Sequence, residues 1–326
     1  MTSLVRRRPR PHATLAVLGV VVALLLTGCS LPDGAAPVPP ASAASEGAAP
    51  GEPSPAPSPE RATVTQALSA DGIELVLTVP LGAAVGTGGG EPVTVSPDED
   101  GSSRVAFVLP SDETATVASS GSTPTGTSDG TDAVRTAVPA TLDLVSPADG
   151  SLVRNSDGSI TVLDAAGTPL GGLSAPEATE TSGSAGRAGV VVVAPTRAEV
   201  HAKARGATPS GTGGATGDGA DPAHGWAVTT WLGAQGVRSA TWGDREGGRS
   251  LAVDPTPWAR QSGIVGEATA WAQLVASEPE AASTTMRDQF DCHALGATDK
   301  TTWNLEPWRP DVGFLATAAA RCNPTA

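Results

Sequence analysis

The sequence predicts an α+β protein with a disordered Pro-rich tether, a small all-β module and a disulfide-closed C-terminal α+β module. Three observations carry this. Nine prolines fall between Leu31 and Pro59, in a stretch too poor in apolar residues to bury a core. Short Val/Leu-rich runs bounded by Asp-Gly pairs mark residues 61–205 as strands between tight turns. All seven tryptophans lie from Trp226 to Trp308, beside two stretches of helical apolar spacing and the last two of the three cysteines. The expected segments are 1–28, 29–60, 61–205, a Gly/Thr-rich linker at 206–225, and 226–326.

Arg6, Arg7, Arg8 and Arg10 form a positively charged start, followed by a 14-residue apolar run from Ala13 to Leu26. That run is short for a transmembrane helix and fits the apolar region of a signal peptide. It ends in Leu26-Thr27-Gly28-Cys29, which resembles the lipobox of bacterial lipoproteins. The resemblance implies removal of residues 1–28 and lipid attachment at Cys29. The expected location is therefore the outer face of the cytoplasmic membrane, with the bilayer reached through the lipid. Residues 29–60 would then act as a tether spanning roughly 30 Å as a coil and up to roughly 90 Å as polyproline II. Arginine outnumbers lysine 18 to 2, a bias that points to a high-GC bacterium such as an actinobacterium.

The formal charge of −14 becomes −18 once the four leading arginines are removed. Residues 29–225 carry 23 acidic against 8 basic side chains, and residues 226–326 carry 11 against 8. So acidic a surface excludes electrostatic binding of nucleic acid and of anionic lipid headgroups.

In the β module, Ile73 to Val79 follows Asp71-Gly72, and Arg104 to Leu109 follows Asp100-Gly101. Asp149-Gly150 and Asp157-Gly158 bracket a short meander through Leu152-Val153-Arg154 and Ile160 to Leu163. Gly189 to Ala194 is one more β-branched run. Glycine's tolerance of positive φ explains the Asp-Gly pairs as turns, and ligand oxygens nearby are too sparse for calcium loops. A low-complexity stretch interrupts the module from Ala118 to Asp132. With Phe107 as the only aromatic, its core would be thin and built of Val and Leu.

Beyond Trp226, Val237 to Trp242 and Ser250 to Val253 read as a hairpin turning at Gly247-Gly248. Ile264, Ala268, Trp271, Ala272 and Val275 then mark one face of a helix. Ser277-Glu278-Pro279-Glu280 matches a capping box that would start a second helix, with Ala282, Met286, Phe290 and His293 on its buried face. Outside the cytoplasm the two remaining cysteines, Cys292 and Cys322, should pair. This closes a loop of about 30 residues and stabilises the fold by roughly 3–4 kcal/mol.

Asp254 to Arg260, Gln289 to His293, Lys300, Trp303-Asn304-Leu305-Glu306-Pro307-Trp308-Arg309-Pro310 and Cys322-Asn323-Pro324 resemble a bacterial family catalogued as domain of unknown function 2599. The resemblance covers about residues 226–326 and is most specific in the Trp-Asn-Leu-Glu-Pro-Trp-Arg-Pro tract. It implies a secreted or lipid-anchored actinobacterial protein and no particular activity.

Two functional classes remain open. In the first, His293 is a general base oriented by Asp291 or Glu306, with Lys300 or Arg309 stabilising negative charge, and the protein is a hydrolase of a cell-envelope polymer. In the second, Trp303 and Trp308 stack against glycan rings or peptide prolines, so that the module binds a cell-wall polymer or another envelope protein. Binding or organisation in the envelope is the preferred reading. No Gly-rich phosphate loop and no His-Glu-x-x-His helix is present. No cofactor is called for. A metal site is disfavoured because His293 has only His224 as a histidine near it and the cysteines pair with each other.

Overall fold

The computed structural model describes residues 61–82, 91–112, 136–181, 185–204 and 225–325. Cys29, the expected signal peptide and tether, the 118–132 insert and most of the 206–225 linker lie outside the described residues. The described chain is mostly β-sheet with a few helices. In order it contains β1 (Thr63–Ala70), β2 (Ile73–Pro80), β3 (Val93–Pro97), β4 (Ser103–Asp112), β5 (Thr136–Ala137), β6 (Ala140–Ser146), β7 (Ser151–Arg154), β8 (Ile160–Leu163), β9 (Pro169–Leu173), β10 (Glu177–Glu180), β11 (Gly186–Ala194), β12 (Arg197–Ala204) and β13 (Gly225–Gly233). There follow β14 (Val237–Arg245), β15 (Gly248–Pro255), α1 (Pro257–Gln261), α2 (Ile264–Ser277), α3 (Thr284–Gly296), β16 (Trp303–Leu305) and α4 (Phe314–Ala319).

Alternation makes the first strands. Ile73, Leu75, Leu77 and Val79 of β2 point inward at a period of two, and its antiparallel partners β1 and β6 answer with Leu68 and with Leu142 and Leu144. β12 continues this layer and β11 pairs with β12. A second layer runs β3–β4–β13–β9–β8–β7, with β10 also on β13. The layers meet where Leu77, Leu142 and Val200 face Phe107, Ile160 and Leu173. β4 belongs to both layers. It pairs with β13 as far as Pro110, opposite Gly225, then with β5 from Ser111. Proline has no N–H to leave unpaired, so it suits the point where a strand changes partners.

The boundary expected at residue 225 is displaced by β13. This strand carries Trp226 and Trp231 but hydrogen-bonds to β4, β9 and β10 of the β region. Trp226 is fully buried in that core, so the core is not the thin Val/Leu assembly that Phe107 alone implied. The described residues cluster as one unit.

The hairpin β14–β15 pairs as expected and turns at Glu246-Gly247, and β16 adds a third strand beside β15. α2 forms over the expected residues, with a different face inward. Val265, Gly266, Thr269, Ala270 and Leu274 are buried, while Ile264 is exposed and Trp271 is half-buried. The reason is close approach. A Cβ on Gly266 would lie 2.3 Å from the Ala259 carbonyl, so small residues, not the largest apolar ones, face the neighbouring elements. The start of α3 also moves. Pro279–Ala281 forms a single 3₁₀ turn, and Ser283 caps the helix proper by accepting from the Met286 N–H at 3.3 Å. Ala282 consequently sits outside the helix, while Met286, Phe290 and His293 are buried as the spacing predicts.

Trp258 of α1 fastens the helices to the β layers. It is fully buried over Gly233, where a Cβ would stand 2.4 Å from the indole, and its N–H donates to the Trp231 carbonyl at 3.1 Å. A buried Trp of this kind is typically worth about 3–5 kcal/mol against alanine. Two turn aspartates complete the junction. Asp100 Oδ2 accepts from the backbone N–H of Trp258 at 3.2 Å, and Asp157 Oδ2 accepts from the backbone N–H of Ile264 at 2.8 Å. Each satisfies a donor at a helix start that the helix itself leaves open.

Candidate functional site

The C-terminal tract is assembled around α3. Cys292 and Cys322 form the predicted disulfide, with Cα atoms 5.5 Å apart. The five candidate catalytic side chains are distributed over three separate networks. His293 lies on the buried side of α3, stacked at 15° and 6.4 Å on the Trp303 ring. Its Nε2 is 3.2 Å from the Asn304 carbonyl, and its Nδ1 has no partner among the described residues. Burial pushes the imidazole down to about 4, the nearby Lys300 charge acting in the same direction against the Asn304 hydrogen bond. No carboxylate among the described residues orients it.

Asp291 is two residues away and about 200° around the helix, so it faces elsewhere. It receives Arg287 Nε, whose Nη2 reaches Glu267 Oε1 at 2.6 Å. Burial, followed by the charge of Asp291, raises Glu267 to about 7. This carboxyl was not legible as a candidate, because Glu267 and Asp291 are 24 residues apart and only the packing of α2 on α3 joins them. Glu306 and Arg309, 1% and 5% exposed, form a buried ion pair. Arg309 also donates to Glu246 Oε2 at 2.6 Å and to the Pro324 carbonyl at 3.2 Å. It therefore ties the hairpin turn, the end of β16 and the C-terminal segment together. Lys300 is exposed, and its backbone carbonyl accepts from Arg260.

The arrangement gives the general-base reading no carboxylate beside His293 among the described residues. His293 is neutral at physiological pH, lacks an acid partner, and is enclosed with Trp303. A pH experiment reports its burial. With the folded value below the unfolded 6.5, the unfolded chain takes up the extra proton. Stability is then full above 6.5 and falls as pH drops toward about 4, by up to roughly 3 kcal/mol. His293→Gln should flatten that acid-side decline in thermal midpoint. A decline of unchanged slope in the variant would assign it to other groups.

The stacking pair separates as well. Trp303 is 1% exposed, packed edge-on against Phe290, with its N–H on the Ala297 carbonyl at 2.9 Å, so it offers no surface for a ligand. Trp308 is 44% exposed and lies against the hairpin at Gly248, beside the Arg309 guanidinium at 4.6 Å.

A different site emerges at the seam between the β layers and the α1–α2 corner. A cleft of about 540 Å³ is lined by β3, β4, β13, the start of β10, the β7–β8 turn and Gln261-Ser262-Gly263. Strand alternation puts Thr94 and Ser96 of β3, Arg104 of β4 and Thr229 of β13 on this outer face, because their neighbours fill the core. The side chains of Thr94, Ser96, Thr229, Glu177 and Gln261 are engaged by no other described residue. Asp157 is fully occupied: Oδ1 accepts from the Ser159 N–H and hydroxyl and Oδ2 caps α2, and these bonds hold its carboxyl below the usual range against the effect of burial. Strand periodicity and turn chemistry predict each element singly. The cleft needed knowledge that β13 crosses the expected boundary. Among the described residues, no group of three or more His, Cys, Asp or Glu is placed to hold a metal ion.

Residues 237–325 match the family model described as Protein of unknown function (DUF2599). Uncharacterized proteins of Mycobacterium tuberculosis and Mycobacterium bovis are each 42% identical over 69 residues, which is 20% of this chain and 47% of theirs. An uncharacterized protein of Mycobacterium leprae is 36% identical over 70 residues, 20% of this chain and 57% of its own. The chain thus spans about half the length of the curated relatives it matches. No solved structure matches it.

Proposed function

We propose that this chain is a binding module of the bacterial cell envelope, exported, lipid-anchored at Cys29, and engaging a hydroxyl-rich polymer through the seam cleft. The cleft is the single observation that carries the reading: its walls hold the hydroxyls of Thr94, Ser96 and Thr229, the Gln261 carboxamide and the Glu177 carboxylate, none engaged by another described residue. Hydroxyls and amides both donate and accept, which suits an array of sugar hydroxyls. The catalytic alternative is weaker because His293, Asp291, Glu306 and Arg309 are engaged in packing and ion pairs. The location rests on the arginine-rich start, the apolar run and Leu26-Thr27-Gly28-Cys29 of the sequence.

Sedimentation with insoluble cell-wall fragments tests the reading. Thr229→Trp would fill the cleft from an exposed strand position and should reduce retention at least tenfold. Trp308→Ala, on the hairpin side, should leave retention unchanged. If a folded Thr229→Trp protein is retained like wild type, the cleft is not the binding site. If Trp308→Ala alone loses retention, the ligand lies on the hairpin.

A further inference from the structure

We propose that Arg104 makes this cleft selective for a saccharide bearing a carboxylate. The inference rests on the cleft reading above and narrows its ligand class.

The guanidinium of Arg104 lies 4.1 Å over the Trp231 ring. That ring is fixed from three sides. Its indole N–H donates to Ser102 Oγ at 2.9 Å, its backbone N–H donates to Ser174 Oγ at 3.0 Å, and its carbonyl accepts from Trp258 Nε1 at 3.1 Å. The guanidinium therefore rests on an immobile plane. Stacking uses its face and leaves the N–H edge open, the edge that matches a carboxylate with two parallel hydrogen bonds. Among the described residues that edge makes no hydrogen bond. The nearest acid, Asp98 Oδ2, stands 3.5 Å from Nε, an ion pair beyond hydrogen-bond range. No hydrogen bond to another described residue uses the five donors.

The surrounding charges set how much anion the site accepts. Glu177 is a further charge on the wall, and Asp98 and Asp157 stand close by. A densely charged polyphosphate would meet three carboxylates for one guanidinium. One carboxylate flanked by hydroxyls meets Arg104 on the central strand, with Thr94 and Ser96 of β3 on one flank and Thr229 of β13 on the other. A peptide carboxylate would satisfy Arg104 but leave those hydroxyls without a matching array.

Titration calorimetry on the full chain separates these cases, with three probes: tetragalacturonate, its neutral methyl ester, and a short peptide with a free C-terminal carboxylate. Wild type should bind the acid at least tenfold more tightly than the ester. Arg104→Ala should bring the two to parity, and Arg104→Lys, which keeps the charge but loses the planar fork, should restore less than half of the preference on a logarithmic scale. Near-ultraviolet circular dichroism confirms that the variants fold. Equal binding of acid and ester by wild type, both abolished in Thr229→Trp, would overturn the carboxylate inference and leave the cleft reading standing. Saccharide binding unaffected by Thr229→Trp, or no saccharide binding by wild type, would overturn both. Binding of the peptide alone would assign Arg104 to a protein ligand and overturn the saccharide class.

Discussion

Removing the Cys292–Cys322 disulfide is expected to cost about 3–4 kcal/mol, because the bond closes a 30-residue loop in the unfolded chain. The loop holds β16, the Glu306–Arg309 pair and α4, which is only six residues long and exposes Leu315 almost completely. β16 and the ion pair are also held by strand pairing and burial, whereas α4 buries only Thr317. Thr317 is buried and its carbonyl accepts from the Cys322 N–H at 2.9 Å. Cys322 itself adopts φ 69°, a region that non-glycine residues occupy at a cost. Cutting the staple lets this residue relax and the segment loosen. Urea unfolding followed by tryptophan fluorescence, comparing wild type with the Cys292→Ala/Cys322→Ala double variant, measures the loss. Coincident midpoints would show that the C-terminal segment is held by packing alone.

Replacing Arg309 with alanine should be similarly damaging, about 3–5 kcal/mol, because Glu306 would remain buried without its counter-charge. Three connections go at once: to Glu306, to Glu246 in the β14–β15 turn, and to the Pro324 carbonyl. The pair's net worth is smaller than the cost of breaking it, since both charges pay desolvation. Glu306→Gln combined with Arg309→Met should therefore recover much of what Arg309→Ala loses. A double-mutant cycle on unfolding midpoints provides the check. A loss under 1 kcal/mol in Arg309→Ala would mean that water reaches Glu306 and the site is not closed.

Local rules held where one element decides its own shape. The Asp-Gly turns, the β14–β15 hairpin and the disulfide were all readable, because each depends on residues adjacent in sequence or on a pairing with no alternative. The failures share a cause. The α2 stripe chosen from Ile264, Ala268 and Trp271 follows hydrophobicity, whereas the face that packs is set by how closely Gly266 and Ala270 let the helix approach. Trp226 was grouped with the other tryptophans by composition, although it is buried in the core of the β layers; Trp231 shares its strand but clusters with Trp258 and Trp303. His293, Asp291 and Glu306 looked like a constellation because they are near in sequence. The helix turns Asp291 away from His293, and Arg309 takes Glu306. The cleft was hidden for the opposite reason, as its walls come from residues 94 to 263 and none of them forms a motif.

The helix caps supplied by Asp100 and Asp157 set sequence kinship apart from physical independence. The family match begins at residue 237, yet α1 and α2 receive these caps across 158 and 107 residues of chain. A fragment cut at the family's edge would begin with two helix starts lacking their acceptors and with Trp258 stripped of the Gly233 surface it covers. The stretch that matches the family model is therefore smaller than the stretch that must fold together.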